Sequence, residues 1–67
     1  MIEEEKIIQE RIEMLKILEK VAIQKGLSLD DIAQRSGLIK SNISRIFAGK
    51  FSPTLDIYLK IKYAIEQ

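Results

Sequence analysis

Residues 28–49 constrain the fold of this chain most strongly, because they hold two short helical patterns on either side of a turn that contains Gly37. Glycine adopts positive φ without steric cost, so we expect Gly37 to end the first helix and Gly49 to end the second. The pattern therefore predicts helices over 29–35 and 40–48. A short turn with glycine in it is typical of a helix-turn-helix unit, in which the two helices cross steeply.

A capping box marks the start of the first of these helices. Ser28 is a favoured N-cap residue, and Asp31 stands three residues later, in the position whose side chain bonds back to the cap. Leu27 and Ile32 flank the cap with the spacing of a hydrophobic staple. These signals predict that the helix begins at residue 29.

The second helix has two chemically different sides when its residues are placed 100° apart. The apolar side comprises Ile39, Ile43, Ile46 and Phe47, and the opposite side comprises Lys40, Ser41, Ser44, Arg45 and Ala48. We expect the first set to pack on a core and the second to remain exposed. A helix divided in this way can enter the major groove of DNA, which is about 12 Å wide.

Two further helices are predicted to flank this unit. Residues 2–25 carry two adjacent apolar rows, and Gly26 ends the pattern. A helix of this length runs about 36 Å, which is longer than the core of a small domain requires. Its first half is expected to pack on a second copy of the chain or on the chain's own C-terminal segment. The two rows are Ile8, Ile12, Leu15, Leu18 and Ala22, and Ile7, Met14 and Val21.

The last predicted helix covers 54–65, capped by Thr54 or by Ser52 with Pro53 in the first helical position. It has more apolar residues than one buried stripe requires, so part of its surface is expected to be covered. Tyr58 and Tyr63 are expected in the core or in an interface. The resulting fold class is all-α, a compact domain of four helices, with residues 1–67 as a single domain.

Composition restricts the chemistry of this chain. It has 67 residues and neither Cys nor His, so we expect no disulfide, no metal site and no cofactor. A core this small stabilises a fold by only about 3 to 5 kcal/mol, which favours support from a partner subunit. No long apolar run predicts a membrane span or a signal peptide, so a soluble cytoplasmic protein is expected. Asp30 and Asp31 diverge by 100° on a helix, and an enzyme is not expected.

Basic residues are concentrated in the central unit, although the net charge is only +1. Residues 1–20 hold six acidic and four basic side chains, whereas residues 35–50 hold four basic side chains and no acidic one. Such a local positive field favours contact with nucleic acid, and the alternative is a solvated polar face.

The run GLSLDDIAQRSGLIKSNISRIFAGKFSPTL, residues 26–55, resembles the phage-repressor-like helix-turn-helix family, also called the Cro or XRE family. It follows without a gap the layout G-L-S-x-x-x-[IL]-A-x-x-x-G-[VIL]-x-x-x-x-[IV]-S-x-[IL]-x-x-G-K-x-x-P-[ST]-L. The resemblance implies a lambda-repressor-like fold in which 29–35 crosses the DNA backbone and 40–48 is the recognition helix. Relatives commonly add a fifth helix that contributes to dimerisation, and this helix is expected to be absent here.

The resemblance also implies site residues. Those expected at base edges are Lys40, Ser41, Ser44 and Arg45, and those expected at phosphates are Ser28, Asn42, Gly49 and Lys50. Arg45 can bind guanine bidentately or contact phosphate alone, and Lys40 can serve either. Ser41 contacts a base or only caps its helix, and Asn42 contacts phosphate or solvent. Arg35, at the end of the first helix of the unit, is expected to complement the dipole of that helix.

Four positions depart from the family pattern. Leu29 replaces a residue that is often Gln and contacts phosphate, so that contact is lost or replaced. Ile39 replaces a capping Ser or Thr, which makes Ser41 an alternative cap for a helix that starts later. Ala22 and Phe47 replace an Arg and Glu ion pair, an exchange that can be neutral or stabilising.

The function implied is that of a sequence-specific, double-stranded DNA-binding transcriptional regulator, with repression favoured. Its partners are expected to be duplex DNA and a second copy, joined through the N-terminal helix, the last helix or both. A protein-interaction module, in which the basic face is incidental, is the alternative of another class. The antitoxin of a toxin pair would combine both activities.

Overall fold

A computed structural model describes residues 3–67 of the protein. Within that range the chain forms four helices and no strand, which confirms the all-α helix-turn-helix class. The helices are α1 (Glu4–Gln24), α2 (Leu29–Ser36), α3 (Lys40–Phe47) and α4 (Leu55–Glu66). The predicted start of the first helix at residue 2 lies outside the described residues. The predicted starts of the second and third helices agree with the observed ones, and the remaining predicted ends differ by one residue.

Side-chain caps begin two of the helices where the sequence predicts them. At α2 the Ser28 hydroxyl accepts from the Asp31 backbone N–H at 3.1 Å, and the Asp31 carboxylate accepts from the Ser28 N–H at 2.9 Å. At α4 the Thr54 hydroxyl accepts from the N–H of Ile57 at 3.3 Å, so Thr54 is the cap rather than Ser52. Gly37 ends α2 at φ 76°, in the left-handed region.

The capping box gives the protein an acid-sensitive element. The backbone N–H of Ser28, and then its hydroxyl, lower the pKa of Asp31 below its ordinary value of 3.8. A carboxylate whose pKa is lower in the folded state stabilises the fold above the unfolded-state value, and this stabilisation is lost as pH falls through the folded-state value.

We therefore expect the thermal unfolding midpoint to fall as pH drops below about 4, and to fall less in Asp31→Asn than in the wild type. Circular dichroism melts between pH 7 and pH 2 measure this. Ser28→Ala removes only the hydroxyl contact and keeps the backbone N–H that donates to Asp31, so it should flatten the acid limb less than Asp31→Asn does. Parallel profiles for the wild type and Asp31→Asn would contradict the assignment.

The core is built entirely from apolar side chains, and each helix contributes to it. Helix α2 packs on both α3 and α4, and α1 packs on the same two helices. Ala22 and Phe47 are both buried in this cluster, at the two positions where the resemblance implies an ion pair. The buried residues are Leu15, Leu18, Ala22, Ile32, Ile43, Ile46, Phe47, Ile61, Ala64 and Ile65.

Only the second half of α1 takes part in this core. Leu15, Leu18 and Ala22 are buried, whereas every residue from 3 to 10 is exposed. The chain's own C-terminal segment therefore does not cover the first half of the helix, and Ile7 and Ile8 are left 47% and 38% exposed.

Two cations from elsewhere in the chain hold the C-terminal end of α4. The Lys25 ammonium donates to the Ile65 carbonyl at 2.8 Å, and the Arg35 guanidinium donates to the carbonyls of Ala64 at 3.3 Å and Gln67 at 3.5 Å. Positive charge at a helix C-terminus is stabilising. Arg35 stands in the last turn of its own helix, as predicted. Its guanidinium also reaches the end of α4, because α2 packs against that helix.

Candidate nucleic-acid interface

Helix α3 is anchored by its inner side. Ile43, Ile46 and Phe47 are buried, and the exposed fraction of Ile43 is 0%. Ile39, which was expected beside them, is 66% exposed. It occupies the N-cap position with an extended backbone, φ −78° and ψ 131°, so the helical spacing of 100° per residue does not apply to it.

The first turn of α3 is closed by the backbone alone. The N–H groups of Asn42 and Ile43 both donate to the Ile39 carbonyl, at 3.0 Å and 3.1 Å. No side chain caps the helix. The alternative in which the helix starts later with Ser41 as its cap is therefore wrong: Ser41 lies in the first turn, with an exposed side chain.

The outer side of α3 consists of Ser41, Ser44 and Arg45, all exposed. At 100° per residue, Ser41 and Arg45 lie within about 30° of the direction opposite the buried side chains, and Ser44 about 70° from it. Lys40 and Asn42 lie on opposite flanks, roughly 90° or more from that direction. The three residues Ser41, Ser44 and Arg45 are called the outer face below.

Lys40 is paired with an acid that the sequence count did not place near it. Its ammonium lies 3.2 Å from one carboxylate oxygen of Asp30 and 3.3 Å from the other. The turn brings the first residues of α2 and α3 together, although ten positions separate the pair in sequence. An exposed ion pair contributes only about 0 to 1 kcal/mol, so a DNA phosphate or base can compete for the ammonium.

The residues after α3 offer a cation rather than free N–H groups. The Gly49 N–H donates to the Ile46 carbonyl at 3.1 Å, and the Lys50 N–H donates to the Arg45 carbonyl at 3.0 Å. These donors are already used, so the expected backbone contact of Gly49 with phosphate is not supported. Gly49 instead turns the chain at φ 78°, and Lys50 follows with an exposed side chain.

The N-terminus of α2 is less favourable to phosphate than the resemblance implies. The backbone N–H of Ser28 is bonded to Asp31, and its hydroxyl oxygen accepts from the same residue. Asp30 and Asp31 both stand in the first turn, and the lowered pKa of Asp31 keeps that carboxylate charged. The Ser28 hydroxyl also stabilises the Asp31 carboxylate, so its hydrogen has to leave that carboxylate before it can donate to a phosphate. Leu29 is half-buried against the core and offers no polar group.

Within residues 3–67, three of the five basic side chains between positions 25 and 50 have partners. Lys25 and Arg35 bind carbonyls of α4, and Lys40 binds Asp30. Arg45 and Lys50 form no ion pair or side-chain hydrogen bond in this part of the chain. The cationic groups most available to a ligand are therefore the guanidinium of Arg45, on the outer face, and the ammonium of Lys50, just after α3.

Other kinds of site find no support in residues 3–67. The described part of the chain contains no group of three or more acidic side chains arranged to hold a metal ion. No helix within it is both long enough and apolar enough to cross a membrane.

A family model described as helix-turn-helix matches residues 17–61, about two thirds of the chain. This protein belongs to the XRE or lambda-repressor-like helix-turn-helix family. The family consists of DNA-binding transcription regulators rather than enzymes. The match includes α2, α3 and the turn between them, and leaves residues 3–16 of this XRE-type protein outside it. Comparisons with curated proteins and with solved structures gave no significant match.

Proposed function

We propose that this XRE-type protein is a cytoplasmic transcriptional repressor that reads duplex DNA by placing α3 in the major groove. One observation carries the proposal: the outer face of α3 is exposed, while Ile43, Ile46 and Phe47 fix the opposite side of the same helix in the core. A rigidly backed helix with exposed donors satisfies what base recognition in the major groove requires.

Arg45 is the proposed main determinant of sequence. Its guanidinium can donate two hydrogen bonds to O6 and N7 of guanine, the commonest specific contact. Ser41 and Ser44 lie beside it and contribute weaker contacts, because a hydroxyl bonds to any base. Lys40, on the flank, contacts a base after leaving Asp30.

Phosphate contacts are proposed on both sides of the outer face. Lys50 contributes its ammonium, and Asn42 donates from its side-chain amide. Ser28 contributes only its hydroxyl hydrogen, after that hydrogen leaves the Asp31 carboxylate. Gly49 contributes by turning the chain directly before Lys50. Such contacts position a protein on DNA without reading sequence.

The repressor is proposed to act as a homodimer through α1, α4 or both. Two recognition helices about 34 to 36 Å apart would read two half-sites one helical turn apart, so the operator would be two-fold symmetric.

Selection of bound sequences from a random duplex pool tests the proposed function directly. We expect enrichment of a palindrome with a guanine in each half-site. The absence of any enriched sequence, at salt low enough for binding to be detected, would contradict sequence-specific recognition.

Replacing Lys50 with alanine should weaken binding to all DNA sequences equally. The loss of one phosphate contact lowers the slope of log K against log salt by about one per subunit. Lys60→Ala is the matched control, since it removes one exposed positive charge from α4 and should leave that slope unchanged. Fluorescence anisotropy over a salt series measures both. A change in base preference with Lys50→Ala would show that Lys50 reads sequence instead.

A second candidate function is a protein-interaction module, or an antitoxin that combines protein and DNA binding. Exposed Ile17, Ile23 and Ile39 favour it, because apolar side chains of this size outside a core are typical of contact surfaces. A stable monomer that binds no duplex in the selection experiment would support it over the repressor.

A further inference from the structure

The first half of α1 has a face that the family match does not include. Ile7, Glu10, Arg11 and Met14 recur at i, i+3, i+4 and i+7, so they share one side of the helix. Ile7 and Met14 are 47% and 45% exposed, although both are large and apolar. We call these four residues the α1 face.

The α1 face forms one wall of a groove of about 370 Å³. The other wall comes from the start of α4, where Leu55 and Tyr58 line it. Leu55 is 71% exposed at the groove margin. The groove is therefore mainly apolar, with one anion and one cation along its α1 side.

The order of residues on the α1 face is complementary to its own reverse. Consider two copies of the helix that lie antiparallel about a two-fold axis midway between positions 10 and 11. The numbers of two residues that face each other across the axis then add up to 21. Glu10 then faces Arg11 of the second copy, and Ile7 faces Met14 of the second copy. Every contact occurs twice, as a closed symmetric dimer requires. A parallel pair in register would instead place Glu10 against Glu10.

The unpaired state of Arg11 also points to an external partner. Among the described residues, its Nε is the buried side-chain polar atom that has no hydrogen-bond partner. A buried donor without an acceptor costs free energy. A carboxylate arriving beside the guanidinium allows the side chain to turn outward and form a charge-assisted hydrogen bond.

We propose that the α1 face binds a second copy of this chain, with the two α1 helices antiparallel and centred between residues 10 and 11. Leu55 and Tyr58 of each copy cover the Ile7 and Met14 contacts from the side. This inference rests on the proposed function and deepens it. The proposed function left the homodimer interface to α1, α4 or both, and the inference assigns it to the α1 face with the start of α4 at its side.

Charge reversal tests the pairing without DNA. In Glu10→Arg both facing groups become cationic, and in Arg11→Glu both become anionic, so each variant alone should dimerise about tenfold more weakly or worse. An equimolar mixture restores both opposite-charge contacts and should form a heterodimer. Sedimentation velocity measures all three samples, and circular dichroism verifies that each variant is helical.

Ile23→Glu is the matched control, because Ile23 is an exposed apolar residue about 170° around α1 from the α1 face. It should leave the dimer intact. A monomeric wild type, unchanged dimerisation in both charge variants, or dissociation by Ile23→Glu would each overturn the proposal.

Cross-linking provides a second readout that does not depend on weakening the dimer. The chain has no cysteine, so single cysteines can be introduced cleanly. A mixture of Ile7→Cys and Met14→Cys should form a disulfide on oxidation. Ile7→Cys alone should not, because facing copies of residue 7 stand about 10 Å apart along the axis, beyond disulfide reach. Cross-linking of Ile7→Cys alone at equal yield would overturn the antiparallel register.

The two proposals can fail separately. A dimer that obeys the charge and cross-linking tests but selects no DNA would refute the repressor and leave the pairing in place. A wild type that enriches a half-site but sediments as a monomer would refute the pairing and leave DNA recognition in place.

Discussion

Ile43→Ala is expected to leave much of this protein unfolded at 25 °C. The side chain has no exposed surface and is part of the central cluster that receives α1, α2 and α4. Removing a buried isoleucine to alanine costs about 2 to 5 kcal/mol. A single small core supplies only about 3 to 5 kcal/mol in total, so the loss is comparable with the whole free energy of unfolding. Urea denaturation followed by circular dichroism measures it.

Ile39→Ala is the matched control for this prediction. It makes the same chemical change at the edge of the same helix, at a side chain that is 66% exposed. Its effect on the free energy of unfolding should stay within about 0.5 kcal/mol. Equal destabilisation by the two substitutions would contradict the division of α3 into a buried inner side and an exposed N-terminal residue.

Arg45→Ala is expected to produce the largest loss of specific DNA affinity. A bidentate arginine to guanine contact discriminates against a wrong base by about 1 to 3 kcal/mol, which corresponds to a factor of about 5 to 150 in the dissociation constant. Because Arg45 is exposed and outside the core, the substitution should leave the unfolding curve close to that of the wild type. Anisotropy titrations with the selected operator and with an operator altered at the guanine measure both constants.

Arg45→Lys distinguishes recognition of guanine by Arg45 from simple attraction of its positive charge to DNA. Lysine keeps the positive charge but loses the planar fork, so non-specific affinity should persist while the preference for guanine falls. If Arg45→Ala weakens binding to all sequences by the same factor, Arg45 contacts phosphate alone. Base reading would then have to come from Lys40 or the serines.

The sequence predicted those parts of the fold that depend on neighbouring residues. The capping box at Ser28 and Asp31, the Thr54 cap and the positive φ of Gly37 all follow from chemistry within four positions, and the structure bears them out. The buried triplet on α3 follows from helical spacing. The prediction that Ile39 is buried was wrong, because it applied the helical spacing to the N-cap residue, whose backbone is extended rather than helical.

What the sequence could not provide were contacts between distant segments. Asp30 reaches Lys40 and Arg35 reaches the end of α4 only because α2 packs between α3 and α4. A charge count over residues 35–50 therefore treated four basic side chains as equivalent. Two of them, Arg35 and Lys40, are bound to other groups of the chain. The occupied N–H of Gly49 depends on the exact way α3 ends, which composition does not determine.

The anchored end of α4 has a consequence for where this protein opens first. Helix termini ordinarily fray, yet here Lys25 and Arg35 bind the last carbonyls of the chain from two other segments. Among the described residues, the first turns of α1 have no such ties, since residues 3–10 are all exposed. Amide hydrogens should therefore exchange fastest in the first turns of α1, and association through that helix would make their protection rise with protein concentration.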